Sequence, residues 1–147
     1  MTEYGMMLLG IFGCLGYCFL VNIPKRCILA TTLVGGASWS VYLIFFNDGS
    51  GKVFAAFAAA ALVGLLSDIL SRFLKEAATI FIIPGIIPLV PGAGLYYTMI
   101  EIVNGNYEKA ASIGGETFFV AGAIALALLF IGSLTRIFHQ IKYKLRV

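Results

Sequence analysis

The chain has 147 residues, 61% of them hydrophobic and only 12% charged, with a mean hydropathy of +0.99 and a formal net charge of +3. A soluble domain carries about a quarter charged residues, so this composition predicts an integral membrane protein and excludes an ordinary soluble enzyme or nucleic-acid-binding module. Three cysteines (Cys14, Cys18, Cys27), with no CxxC, exclude a disulfide framework or a zinc site as the organising principle.

Five apolar stretches separated by short polar loops predict an all-α fold: one transmembrane domain over 1–147, a polytopic bundle of five spans. The first covers roughly 4–21. It lacks the basic flank of a signal peptide, and Gly10, Gly13 and Gly16 read as a small-residue stripe for close helix approach. Cys14 and Cys18, four apart, share one helix face and are expected to pack. NIPKR (Asn22–Arg26) breaks the chain. The second stretch, roughly 27–46, carries Thr31, Thr32, Gly35, Gly36, Ser38, Trp39 and Ser40, a small and polar centre expected to face the bundle interior. NDGSGK (Asn47–Lys52) is a turn by composition.

The third stretch, roughly 53–73, has Ala56, Ala60 and Gly64 four apart, a ridge for helix packing. Asp68 and Arg72 near its far end stand at i,i+4 and are placed to pair. The fourth runs over roughly 79–103, and NGNYEK (Asn104–Lys109) follows as a loop. The fifth covers roughly 112–134, with Glu116 expected in its first helical turn, and a short basic tail occupies 135–147, with the single histidine, His139, inside it.

The fourth stretch holds the feature around which the rest is arranged. Ile82–Tyr97 reads IIPGIIPLVPGAGLYY, with Pro84, Pro88 and Pro91 among Gly85, Gly92 and Gly94. Each proline lacks the N–H that would bond to the carbonyl four residues back, which frees the carbonyls of Ile80, Pro84 and Ile87. Unpaired backbone groups in hydrocarbon cost several kcal/mol each, so such a segment must be buried in protein or line a wet cavity. The fourth span is therefore expected to break at this motif, with a second half-helix restarting near Gly92–Leu95. The first N–H groups of a restarted helix suit an anion, glycine lets a solute approach the backbone, and Tyr96 and Tyr97 adjoin the break. The candidate substrate-binding residues are Pro84, Gly85, Pro88, Pro91, Gly92, Gly94, Tyr96 and Tyr97, for a solute bearing a carboxylate. A kink serving helix packing alone is the competing reading.

Asp68 and Arg72 form the candidate coupling pair, since ionisable side chains in membrane segments are costly and often functional. A snorkelling arginine neutralised by its neighbour is the alternative. Glu101 and Glu116 flank one loop, as solvated charges or as a gate. Five spans place the termini on opposite sides. Lys25, Arg26, Arg72, Lys75, Arg136, Lys142, Lys144 and Arg146 then share the side of the C-terminus, against Lys52 and Lys109 on the other. The excess of positive charge predicts an outside N-terminus and a cytoplasmic C-terminus.

IIPGIIPLVPGAGLYYTM (Ile82–Met99), preceded by VNIPKR (Val21–Arg26), resembles the small membrane subunit of the bacterial threonine/serine exporter family, some of whose members are associated with dicarboxylate (succinate) export. The resemblance extends over essentially the whole chain through its length and five-span layout. It implies a bacterial inner-membrane protein working with a larger five-span subunit that carries a soluble extension, the two together making one transporter. No P-loop, dinucleotide fingerprint, HExxH or GxSxG is present. The expectation is therefore a secondary exporter subunit for threonine, serine or a dicarboxylate, with no catalytic residues, no cofactor, no metal and no nucleic-acid partner. A scaffold or regulatory subunit of the membrane, or a homo-oligomeric channel, are the alternatives.

Overall fold

The computed structural model describes residues 3–144. They form six α-helices: α1 (Glu3–Leu20), α2 (Lys25–Asn47), α3 (Lys52–Leu74), α4 (Thr79–Ile86), α5 (Gly92–Val103) and α6 (Tyr107–Lys144), with a 3-10 turn at Ile87–Leu89 between α4 and α5. No strand occurs among the described residues. Three helices are long and apolar enough to cross a membrane: α2, α3 and the Tyr107–Ile137 part of α6. The bent pair of α4 with its 3-10 turn and α5 makes a fourth if it is counted as one span, and α1 contributes a shorter apolar helix, Leu8–Leu20.

Local chemistry ends α1, α2 and α3 where the sequence turns polar. Asn22 takes a left-handed φ of 57° after α1, and Pro24, extended at φ −51° and ψ 131°, starts α2. A proline at a helix entrance gives up no bond that the helix would otherwise make. Gly49 and Gly51 supply the positive φ values of the α2–α3 turn, and Lys75 ends α3 in the left-handed region.

The core is built on α3. Ala55, Ala56, Ala59, Ala60 and Val63 are all fully buried, most of them in one cluster with Val34, Leu89, Val120, Ile124 and Ala127. Small side chains bring helix axes close, which suits association in lipid. The Ala56/Ala60/Gly64 ridge is thus a packing surface: a Cβ on Gly64 would stand 3.0 Å from Ile131 of α6. Cys14 and Cys18 pack as expected, fully buried with Ile23, Cys27 and Phe81.

Three local expectations change. Gly13 and Gly16 are exposed and meet nothing within 4 Å, so the every-third-residue glycine pattern of α1 is not a packing stripe. Positions three apart drift around a helix of 3.6 residues per turn. The buried face instead repeats every four residues at Gly10, Cys14 and Cys18, with Gly10 against Trp39 and Cys14 against Gly35. Second, α6 begins at Tyr107, so its first-turn acid is Glu108 and Glu116 lies two turns further in. Third, α6 continues through Lys144, taking in most of the stretch read as a tail; residues 145–147 lie outside the described residues, as do the side chains of His139, Lys142 and Lys144.

Candidate functional site

The Pro/Gly motif takes three different conformations in succession. Pro84 sits inside α4, Pro88 lies in the 3-10 turn, and Pro91 is the N-cap of α5. The two helical pieces bend by 49° across the break. Pro91, at φ −78° and ψ 54°, forms an inverse γ-turn in which the Gly92 N–H donates to the Val90 carbonyl at 2.8 Å.

The carbonyls around the break find partners inside the protein. The Ile87 N–H donates to Pro84 O, a bond of 3-10 type. The Cys14 thiol lies 3.4 Å from the same oxygen and 3.5 Å from Thr31 O. The Ser38 hydroxyl stands 2.9 Å from Gly85 O and 2.8 Å from Gly35 O of its own helix. Side chains of α1 and α2 therefore hold α4 at its weakest point. Gly85 is buried too: a Cβ there would fall 2.9 Å from Val63 and 3.0 Å from Val34. Pro84 and Gly85 thus serve packing and do not line the cleft described next.

Beyond Leu89 the motif opens onto a cleft of about 470 Å³. That is within the range of roughly 300–1,000 Å³ common for small-molecule sites. Buried Leu89, Thr117 and Val120 form its floor; Trp39, Tyr42, Tyr97 and Ile113 contribute its walls. Of the candidate substrate-binding residues, Pro88, Pro91, Gly92, Gly94 and Tyr97 line this cleft, together with Val90 and Ala93. Tyr96 does not. It is 63% exposed, with its ring edge-on to Tyr97 at 5.6 Å.

Gly92 and Gly94 do different work there. Nothing stands within 4 Å of a Cβ on Gly92, so this position faces open space. A Cβ on Gly94 would lie 2.2 Å from Thr117 Oγ1, so Gly94 is small because α5 presses on α6. Next along this seam, the Thr98 hydroxyl turns back to Gly94 O at 2.7 Å, and a Cβ on Gly114 would meet Thr98 at 3.1 Å.

Three polar features lie at or beside the cleft. The first intrahelical bond of α5 runs from Leu95 N–H to Pro91 O, and no side chain caps the helix. The Ala93 and Gly94 N–H groups therefore lack an intrahelical partner at the positive end of the helix dipole. Secondly, Trp39 has its indole N–H buried with no hydrogen-bond partner among the described residues. Thirdly, Lys52 and Glu116 meet across the cleft, with Nζ 3.1 Å from Oε1 and 3.2 Å from Oε2. This arrangement can bind a small polar solute; it holds no group of three or more metal-ligating side chains among the described residues.

Asp68 and Arg72 do pair, with Arg72 Nε and Nη2 each 3.1 Å from a carboxylate oxygen. They lie sixteen residues or more beyond Lys52 on α3, about 24 Å along a helix axis. The structure does not bring them to the cleft; Ile69 and Phe73 flank them on the surface. Glu101 has a local role, accepting from Asn106 at 2.9 Å and pairing with Lys109 at 2.6 Å to close the α5–α6 turn. Arg26 and Glu76 form an ion pair that ties the start of α2 to the loop after α3.

Sequence reasoning missed Tyr42, Lys52 and Thr117 as cleft residues. Lys52 read only as an orientation charge. Its signal was positional: it opens α3, where a helix dipole disfavours a cation.

Comparison with known proteins gives a family and little more. A family profile described as "Threonine/Serine exporter, ThrE" matches residues 6–134. An uncharacterized protein of Haemophilus influenzae is 25% identical over 136 residues, covering 87% of this chain and 46% of that protein. The chain thus spans about half the length of the curated relative it matches. No solved structure matches.

Proposed function

Because the chain belongs to the threonine/serine exporter family, we propose that it is one subunit of a secondary exporter that moves a small carboxylate metabolite out of a bacterial cell, threonine or serine in the first place and a dicarboxylate such as succinate as the variant. In this reading the protein lies in the inner membrane with five spans. Helix α1 is the first span, and the bent pair α4–α5 is a broken fourth. The N-terminus is outside and the C-terminus cytoplasmic.

One observation carries the reading: the cleft forms where the Pro/Gly motif interrupts the helix. Secondary transporters bind solutes at such interruptions, where half-helix N-termini meet anionic groups. The Ala93 and Gly94 amides suit a solute carboxylate. A pure kink would need none of these. The second five-span subunit of this proposal is supported by two facts. The relative is about twice as long, and α5 packs only on α6 and buries no residue of its own.

The test is uptake into everted membrane vesicles of labelled threonine, serine and succinate, with the chain alone and with its genomic neighbour. Gly92→Leu puts a side chain into open cleft space without a clash in the fold. It is expected to lower transport at least tenfold at an unchanged membrane level of the protein. Full transport by Gly92→Leu would remove the cleft from the mechanism.

A further inference from the structure

The charged side chains that line the cleft, among the described residues, are one lysine and one glutamate. Lys52 is the first residue of α3 and Glu116 stands two turns into α6. The ammonium is nearly equidistant from both carboxylate oxygens, at 3.1 and 3.2 Å. Both side chains are about half exposed, at 48% and 51%, above a floor of buried Leu89, Thr117 and Val120.

A staple between α3 and α6 does not account for this pair. These helices already interlock through fully buried alanines and the Gly64–Ile131 contact, and a half-exposed ion pair adds only about 0–1 kcal/mol. Lys52 also stands at the positive end of the α3 dipole, the unfavourable end for a cation. Residues that break a local rule with no packing gain are candidates for function.

We propose that the Lys52–Glu116 pair sets the specificity of the cleft, by exchanging partners with a solute that carries both an ammonium and a carboxylate. This rests on the exporter reading above. Each end of such a zwitterion replaces one lost contact: its carboxylate takes Lys52, its ammonium takes Glu116. The solute is then seated with both charges of the pair still partnered. A dicarboxylate satisfies Lys52 but sets a like charge against Glu116, so it is rejected by repulsion rather than by size.

Everted vesicles from the native host, in which the chain keeps its companions, give the test. The readouts are the KM for labelled L-threonine and the inhibition constant of unlabelled succinate, normalised to protein in the membrane. Glu116→Gln is expected to raise the threonine KM about tenfold and to leave succinate inhibition unchanged or stronger. Lys52→Gln weakens both solutes, because both present a carboxylate. The exchange Lys52→Glu with Glu116→Lys restores threonine transport over either single reversal, and because a purely structural ion pair would be rescued in the same way, the ratio of the two constants in Glu116→Gln decides between them. A ratio of the two constants that stays the same in Glu116→Gln overturns the proposal and leaves the cleft standing. Vesicles of the unaltered protein that accumulate neither threonine, serine nor succinate overturn the exporter reading and this proposal with it.

Discussion

Gly92 and Gly94 look alike in the sequence and differ in the structure. Both were legible as candidates because glycine next to proline in an apolar segment is a costly choice. Their division of labour was not, because it depends on Thr117, which lies more than twenty positions away and packs against only one of them. Gly94→Ala places a methyl 2.2 Å from Thr117 Oγ1. The fold must shift, and overpacking of this kind costs about 1–3 kcal/mol. A lower thermal midpoint in detergent is expected for Gly94→Ala, partly recovered by adding Thr117→Ala, with Gly92→Ala close to the unaltered protein. Equal midpoints for the two alanine variants would contradict the assigned α5–α6 contact.

The α4–α5 break shows how an element with missing hydrogen bonds is kept. The prolines and glycines led to the expectation of an interruption with a restart near Gly92–Leu95; the structure has α5 begin at Gly92, while Pro84 leaves α4 helical. Sequence reasoning left open what satisfies the freed carbonyls. The answer is partly local and partly on α1 and α2: the Val90 N–H donates to Ile87 O, the Ile87 N–H and the Cys14 thiol reach Pro84 O, and the Ser38 hydroxyl approaches the neighbouring Gly85 O. Ser38 has a single proton for two acceptors, Gly35 O and Gly85 O. Ser40 bonds only within its own helix, to Gly36 O at 2.9 Å. Ser38→Ala is therefore expected to lose about 1–3 kcal/mol, the cost of a buried acceptor left short of a partner, and Ser40→Ala much less. Thermal unfolding of the two variants side by side checks this, and equal losses would dissociate Ser38 from the break.

At the scale of the molecule, the cleft lies between the interrupted segment, α5 and parts of α2, α3 and α6. The basic residues gather at the end where α2 begins and α3 finishes, with Lys25, Arg26, Arg72 and Lys75 there and Lys52 and Lys109 opposite. In the orientation proposed above that first end would face the cytoplasm, and the cleft, which Lys52 borders, would then lie toward the outer half. A reporter that works only outside the cytoplasm is expected to be active when fused at the N-terminus and silent at the C-terminus. The reverse pattern would invert the transport direction argued for the cleft. Helix α5 buries no residue of its own among the described residues.

Much about this protein follows from the chain alone. Apolar composition, the loops and the prolines are local quantities, and they determined an all-helical membrane protein with a helix interrupted near residue 90. Resemblance in the same residues led to the family. Tertiary structure alone decided which motif residues meet a cavity. Pro84 and Gly85 turn inward to α2 and α3, Tyr96 turns away, and Asp68 and Arg72 stand at the far end of α3. It also joined Lys52 to Glu116, sixty-four positions apart. The physical reason is that side-chain direction around a bent axis and the approach of distant helices depend on how whole helices pack, and no local pattern of residues encodes that.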